Sequence, residues 1–156
     1  MALRQYQPGD LDAIVAVFQC SVREIASRDY APAQVAAWAP EPADLDAWAR
    51  RLATGAVFVS EREGRVAGFA RIDATGELDL LYVDPHFQRR GVATELLTAL
   101  VAWAKRNGVT RLAANVSITA RSFFEHAGFR LLRSQTVERS GVMLENFRME
   151  RTVDAR

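Results

Sequence analysis

Leu80-Leu81-Tyr82-Val83-Asp84-Pro85-His86-Phe87-Gln88-Arg89-Arg90-Gly91-Val92-Ala93-Thr94 changes character twice within fifteen residues. It opens apolar and aromatic, breaks at Asp84-Pro85, and then becomes basic. Beyond Gly91, Val92, Leu96, Leu100 and Ala104 recur every fourth residue, flanked by Leu97 and Val101. The pattern predicts a strand, a basic loop and a helix in that order. The first N–H groups of a helix have no partner within it, and the helix dipole puts positive potential there, so such a start holds anions. Gly91 and the small Ala93 let a ligand approach the backbone closely. Arg89 and Arg90 add charge, and Thr94 adds a hydroxyl donor. With a net charge of only +1, two arginines at one helix start point to a pyrophosphate. The competing reading is a surface loop with solvated arginines.

On the N-terminal side, Leu3 to Gln7 reads as a short strand and Pro8-Gly9-Asp10 as a turn, with Asp10 as N-cap. Leu11, Ile14, Val15, Phe18, Val22 and Ile25 then follow at helical spacing. Short helices are expected around Ala33–Trp38 and from Leu45 to Leu52, ending at Gly55. Val57–Arg62, Val66–Asp73 and Glu77–Val83 read as strands joined by tight turns, an antiparallel meander. After the helix that stops at Asn107-Gly108, Arg111–Val116 reads as a strand and Thr119–Ala127 as a helix. Phe129–Glu138 and Val142–Thr152 close the chain as a strand pair. The expected class is α+β: a mixed, mostly antiparallel sheet of six to seven strands with flanking helices and right-handed crossovers.

A length of 156 residues without repeat, low-complexity tract or linker predicts a single domain over residues 1–156. The near-neutral balance gives no broad attraction to nucleic acid or to acidic membranes. One cysteine, Cys20, leaves no internal disulfide to form, and no metal-binding constellation is present. Met1 to Tyr6 lacks a signal-peptide core, and no apolar run approaches the ~20 residues that span a bilayer. The expected location is the cytoplasm.

Gln88-Arg89-Arg90-Gly91-Val92-Ala93 resembles the Gln/Arg-x-x-Gly-x-Gly/Ala signature of the GNAT acyl-CoA N-acyltransferases. Ala120-Arg121-Ser122-Phe123-Phe124-Glu125-His126-Ala127-Gly128-Phe129 resembles that family's second signature, a short helix ending in Gly-Phe. The resemblance spans residues 57–152 well and the N-terminal helices loosely. It implies an acetyltransferase that uses acetyl-CoA as cosubstrate and an amine as acceptor, without metal, as a monomer or homodimer. It further implies that the strands Glu77–Val83 and Arg111–Val116 splay apart around pantetheine. Backbone groups of Leu81, Tyr82 and Val83 would pair with the pantetheine amides. The amides of Gln88, Arg89, Arg90, Gly91, Val92, Ala93 and Thr94 would hold the diphosphate. Phe123 or Phe124 would pack near the thiol end, and Ser117 stands where many members carry a pantetheine-binding asparagine.

The implied reaction is attack of a neutral amine on a thioester. An alkyl amine with a pKa of about 10.4 is neutral in about one molecule in 10³ at pH 7, a cost of about 4–5 kcal/mol that a base must offset. Glu77 and Asp79 are the candidate bases. They alternate with Leu78 and Leu80 and are expected on the strand face of Leu81 and Val83; the other reading is solvated charge at a sheet edge. Asn115 is a candidate to hold a relaying water. Phe124 occupies the position where many members carry a proton-donating tyrosine, so Tyr82 or Tyr30, water, or an unassisted thiolate must take that role. Tyr30 and Trp38 are candidates for an acceptor wall, against a reading of plain core packing. The departure at Phe124 keeps a second function open: a CoA-binding regulatory or catalytically degenerate module.

Overall fold

The computed structural model describes residues 2–154, among which five α-helices and seven strands follow the order read from the sequence. They are β1 (Ala2–Gln5), α1 (Leu11–Glu24), α2 (Pro32–Trp38), α3 (Leu45–Leu52), β2 (Ala56–Arg62), β3 (Arg65–Ile72) and β4 (Leu78–Val83). After these come α4 (Val92–Arg106), β5 (Arg111–Ser117), α5 (Arg121–His126), β6 (Arg130–Arg139) and β7 (Val142–Thr152). Asp10 does precede α1, but its carboxylate accepts from Gln7 N (2.8 Å) and from Arg4 rather than capping the helix. No described helix is long and apolar enough to cross a membrane.

The α+β class holds, and the strands divide into two antiparallel sheets, ordered β1-β2-β3-β4 and β5-β7-β6. The sheets meet at one parallel bridge, Glu77 to Ala113, where Ala113 N donates to Gly76 O (3.0 Å). Gly76 makes this contact possible: its φ is +94°, and a Cβ there would run into the carbonyl oxygen of Arg111. Beyond the bridge β4 and β5 share no ladder, so the edge of β4 facing β5 is open toward Val83.

Two apolar clusters sandwich the sheets. On one face α4 buries Val92, Leu96, Leu97, Leu100 and Ala104 against Ala70, Ile72 and Leu112. On the other, α1 buries Ile14, Val17, Phe18 and Val22 against Val59, Phe69 and Leu80. Trp48 of α3 packs edge-on to Phe18 with centroids 4.8 Å apart, an ordinary core role.

The β3–β4 ladder shifts register. Arg71 pairs with Leu80 and Ile72 with Leu78, so Asp79 is the extra residue of a β-bulge. The simple alternation expected from the sequence fails here. Leu81 and Val83 pack on the α4 face, whereas Leu80 and Tyr82 belong to the opposite cluster, and Asp79 reaches Arg71 on that second side. Glu77 and Asp79 therefore do not share the face of Leu81 and Val83.

Candidate functional site

The β4–α4 loop is braced from several directions. Asp84 accepts from His86 N (2.8 Å), fixing a 3₁₀ turn over Pro85–Phe87, and Phe87 is fully buried beneath it. The guanidiniums of Arg65 and Arg90 lie 5.2 and 5.4 Å from the Phe87 ring centroid. Arg62 donates to the carbonyl of Arg90 (2.7 Å) and reaches Glu95, which also accepts from the Ser60 hydroxyl (2.8 Å). Arg89 and Gly91 both adopt positive φ, 61° and 79°, turning the chain into α4.

This bracing leaves the amides free. Gln88 spends its N–H on Pro85 O (3.4 Å), while those of residues 89–94 find no acceptor among the described residues. The side where a Gly91 Cβ would sit is open space. Beside these amides lies a groove of about 360 Å³, bordered by Leu81, Val83, Ala93, Thr94, Phe123 and Phe124. Ser21 of α1 and Ile25 just beyond its C-terminal end form the far wall. They escaped the sequence reading because nothing in a helical stripe marks a residue facing a groove rather than the core.

Between β4 and β5 a narrower gap of about 70 Å³ is lined by Leu80, Leu81, Val116, Ser117, Trp38 and Phe124. The Ser117 hydroxyl accepts from Ala120 N (3.1 Å), capping the turn into α5. Phe124 is buried edge-on to Phe129, with centroids 4.9 Å apart.

On the side of α2 and α3 the gap opens into a polar cavity of about 170 Å³ that brings Glu77, Asp79, Tyr82, Asn115, Trp38 and Tyr30 together. Arg148 grips both carboxylate oxygens of Glu77 at 2.7 Å and raises its own pKa by that contact. Asn115 Oδ1 accepts from Arg148 (3.1 Å) and Gln135 (2.8 Å). Asp79 Oδ2 accepts from Arg71 (2.8 Å) and Arg51 (3.1 Å), while its Oδ1 is buried without a partner. Tyr30 donates its hydroxyl to Glu145 O (2.5 Å) and accepts from Ile118 N (3.0 Å), so it ties β7 to the end of β5. Trp38 packs edge-on to Tyr30.

Tyr82 borders the groove, the gap and the polar cavity alike. Its ring stacks on Phe69 and meets Phe18 edge-on. Burial pushes its phenol pKa above the usual tyrosine value, so the proton stays on at neutral pH. Nothing in the local sequence pattern marks Arg51, Arg71, Arg139, Arg148 or Gln135 as neighbours of this centre. Arg71 reaches across the β3–β4 ladder, Arg51 comes from α3, and the others come from the C-terminal hairpin, pairings that only the tertiary fold creates.

A family model described as an acetyltransferase (GNAT) domain matches residues 26–151. The chain is 38% identical over 148 residues to the uncharacterized N-acetyltransferase YafP of Escherichia coli (strain K12), covering 94% of this chain and 93% of that protein. Its fold superposes with a TM-score of 0.94 on the crystal structure of a GCN5-related N-acetyltransferase from Rhodopseudomonas palustris, at 32% identity, over 97% of this chain and 95% of that one. YncA of Salmonella typhimurium, solved with acetyl-CoA, has the same fold at a TM-score of 0.73 and 22% identity, over 100% of this chain and 95% of that one.

Proposed function

Because this chain belongs to the GNAT family of acyl-CoA-dependent N-acetyltransferases, we propose that it acts as one domain in the cytosol, moving an acetyl group from acetyl-CoA to a primary amine. The diphosphate binds the free amides of residues 89–94, with Arg89 and Arg90 adding charge and the Thr94 hydroxyl a further donor. Pantetheine lies along the open edge of β4, where the backbone of Leu81 to Val83 offers strand-like partners, and Ser117, Phe123 and Phe124 close the other side. The thioester then reaches Tyr82.

The amine enters from the polar cavity past Tyr30, Trp38 and Asn115. Both oxygens of Glu77 are engaged by Arg148, whereas the buried Asp79 Oδ1 has no partner, so Asp79 is the better placed of the two to take the ammonium proton once the amine displaces the surrounding side chains. The neutral nitrogen attacks the thioester carbon, the C–N bond forms, and the C–S bond breaks as the tetrahedral intermediate collapses. The CoA thiolate takes its proton from the Tyr82 phenol, which stands in for the tyrosine absent at Phe124, and the second proton shed by the acylated nitrogen restores the phenol.

One observation carries this reading: among the described residues, Tyr82 alone lines both the groove beside the free amides and the polar cavity with the carboxylates. Donor and acceptor therefore meet at this residue. Purified protein with acetyl-CoA and a panel of amines should release CoA thiol in an acceptor-dependent way. Tyr82→Phe should lower kcat on the order of 10²-fold. Because burial raises the phenol pKa, the acid form persists through the ordinary tyrosine value of 10.0. The wild-type rate should therefore fall only at higher pH, and the variant should lack that limb. Tight acetyl-CoA binding with no acceptor-dependent release from any amine would instead support the regulatory module that Phe124 keeps open.

A further inference from the structure

The charges around the polar cavity do not balance. Arg51 and Arg139 line it, and Arg71 and Arg148 reach its two carboxylates, Asp79 and Glu77, from outside the lining, so four guanidiniums surround two paired carboxylates and leave a surplus of two positive charges. Arg148 is used by Glu77, and Arg51 and Arg71 share Asp79. Glu145 borders the cavity too, but its carbonyl holds Tyr30, and strand alternation turns its side chain to the other face of β7, opposite Thr136. Arg139 is thus the lining cation that forms no salt bridge among the described residues.

Arg139 is placed to use that charge. It ends β6 on the face that also presents Val137 and Gln135, paired with Val142, Leu144 and Asn146 across the hairpin. Its guanidinium and that of Arg51 are close enough to the Tyr82 hydroxyl to oppose the rise that burial imposes on it. The cavity therefore has cations on one side and, among its lining residues, Tyr82 and Asp79, the latter with a buried, unpartnered Oδ1. A purely cationic acceptor such as a polyamine would meet the surplus charge unfavourably. A volume of about 170 Å³ suits a small molecule.

Resting on the acetyltransferase reading above, we infer that the acceptor is a small amine carrying a carboxylate, whose carboxylate binds Arg139 with help from Arg51. Its amino group then points toward Asp79 Oδ1 and the thioester. Arg supplies two parallel donors that match a carboxylate, and pairing there cancels part of the surplus charge.

The test compares acetylation of the common α- and ω-amino acids with that of their amides and decarboxylated amines, read as CoA release. At least one amino acid should exceed both of its matched partners tenfold or more in kcat/KM. Arg139→Ala, at an exposed hairpin end, should remove that preference mainly by raising the acceptor KM, with the acetyl-CoA KM unchanged. Arg139→Lys should keep part of it. Equal or better turnover of the uncharged or polyamine partners, or a preference that survives in Arg139→Ala, overturns the inference and leaves the acetyltransferase reading standing. Acetyl-CoA binding without release from any amine removes both.

Discussion

Asp79 shows how far one residue's surroundings reshape its meaning. In the sequence it is one of two carboxylates two positions apart on a strand. The bulge turns it to the side of Arg71, and two guanidiniums then occupy one of its oxygens and leave the other buried and free. As a proton acceptor it should matter most when free amine is scarce. Asp79→Asn should therefore lower kcat about tenfold or more at pH 7 and converge on wild type as pH nears the amine pKa. A loss equal at every pH would assign Asp79 to structure alone. Its type and approximate place were legible from the sequence. Its orientation was not, because a register shift depends on both strands, and the arginines it meets lie on β3 and α3.

Among the elements, the β4–α4 unit was the most legible. The four-residue recurrence from Val92 to Ala104 falls on the buried face of α4, and Gly91 sits at its N-cap as the change of pattern implied. What the sequence concealed is the bracing from β2. Arg62 holds the carbonyl of Arg90 and the carboxylate of Glu95 at once, which fixes the loop against the start of α4. Arg62→Ala should leave the protein folded and weaken acetyl-CoA about fivefold to tenfold, since each charge-assisted hydrogen bond contributes about 1.5–3 kcal/mol and part of that is recovered by solvent. Calorimetric titration measures this directly, and unchanged affinity would show that the loop holds its shape without the β2 arginine.

At the scale of the whole molecule, the function depends on a division between sheets. One sheet of six or seven strands was the natural expectation from seven strand-like runs. The chain instead makes two sheets that touch at Gly76 and Ala113 and part beyond, and the touch needs glycine because a carbonyl of β5 sits where any side chain at Gly76 would be. Gly76→Ala combines that collision with a positive φ and should cost at least about 2 kcal/mol, visible as a lower Tm. An unshifted Tm would mean that the two sheets are not pinned there. The relative placement of the C-terminal hairpin, which brings Arg139 and Arg148 to the cavity, lay beyond the sequence for the same reason: local patterning sets strands, while the packing of one sheet against another sets the site.

The proposed activity depends on unsatisfied main-chain amides at the start of α4 receiving the diphosphate of acetyl-CoA. Gly91 faces open space, so a side chain there meets no protein atom and intrudes only on what the groove holds. Titrating acetyl-CoA into wild type and Gly91→Asp by calorimetry, with Tm followed in parallel, should give saturable binding for the first. The second should lose affinity at least about 100-fold through steric and like-charge repulsion, with no more Tm loss than the roughly 1–2 kcal/mol of a left-handed residue explains. Equal affinity in the two proteins would contradict the placement of the cosubstrate.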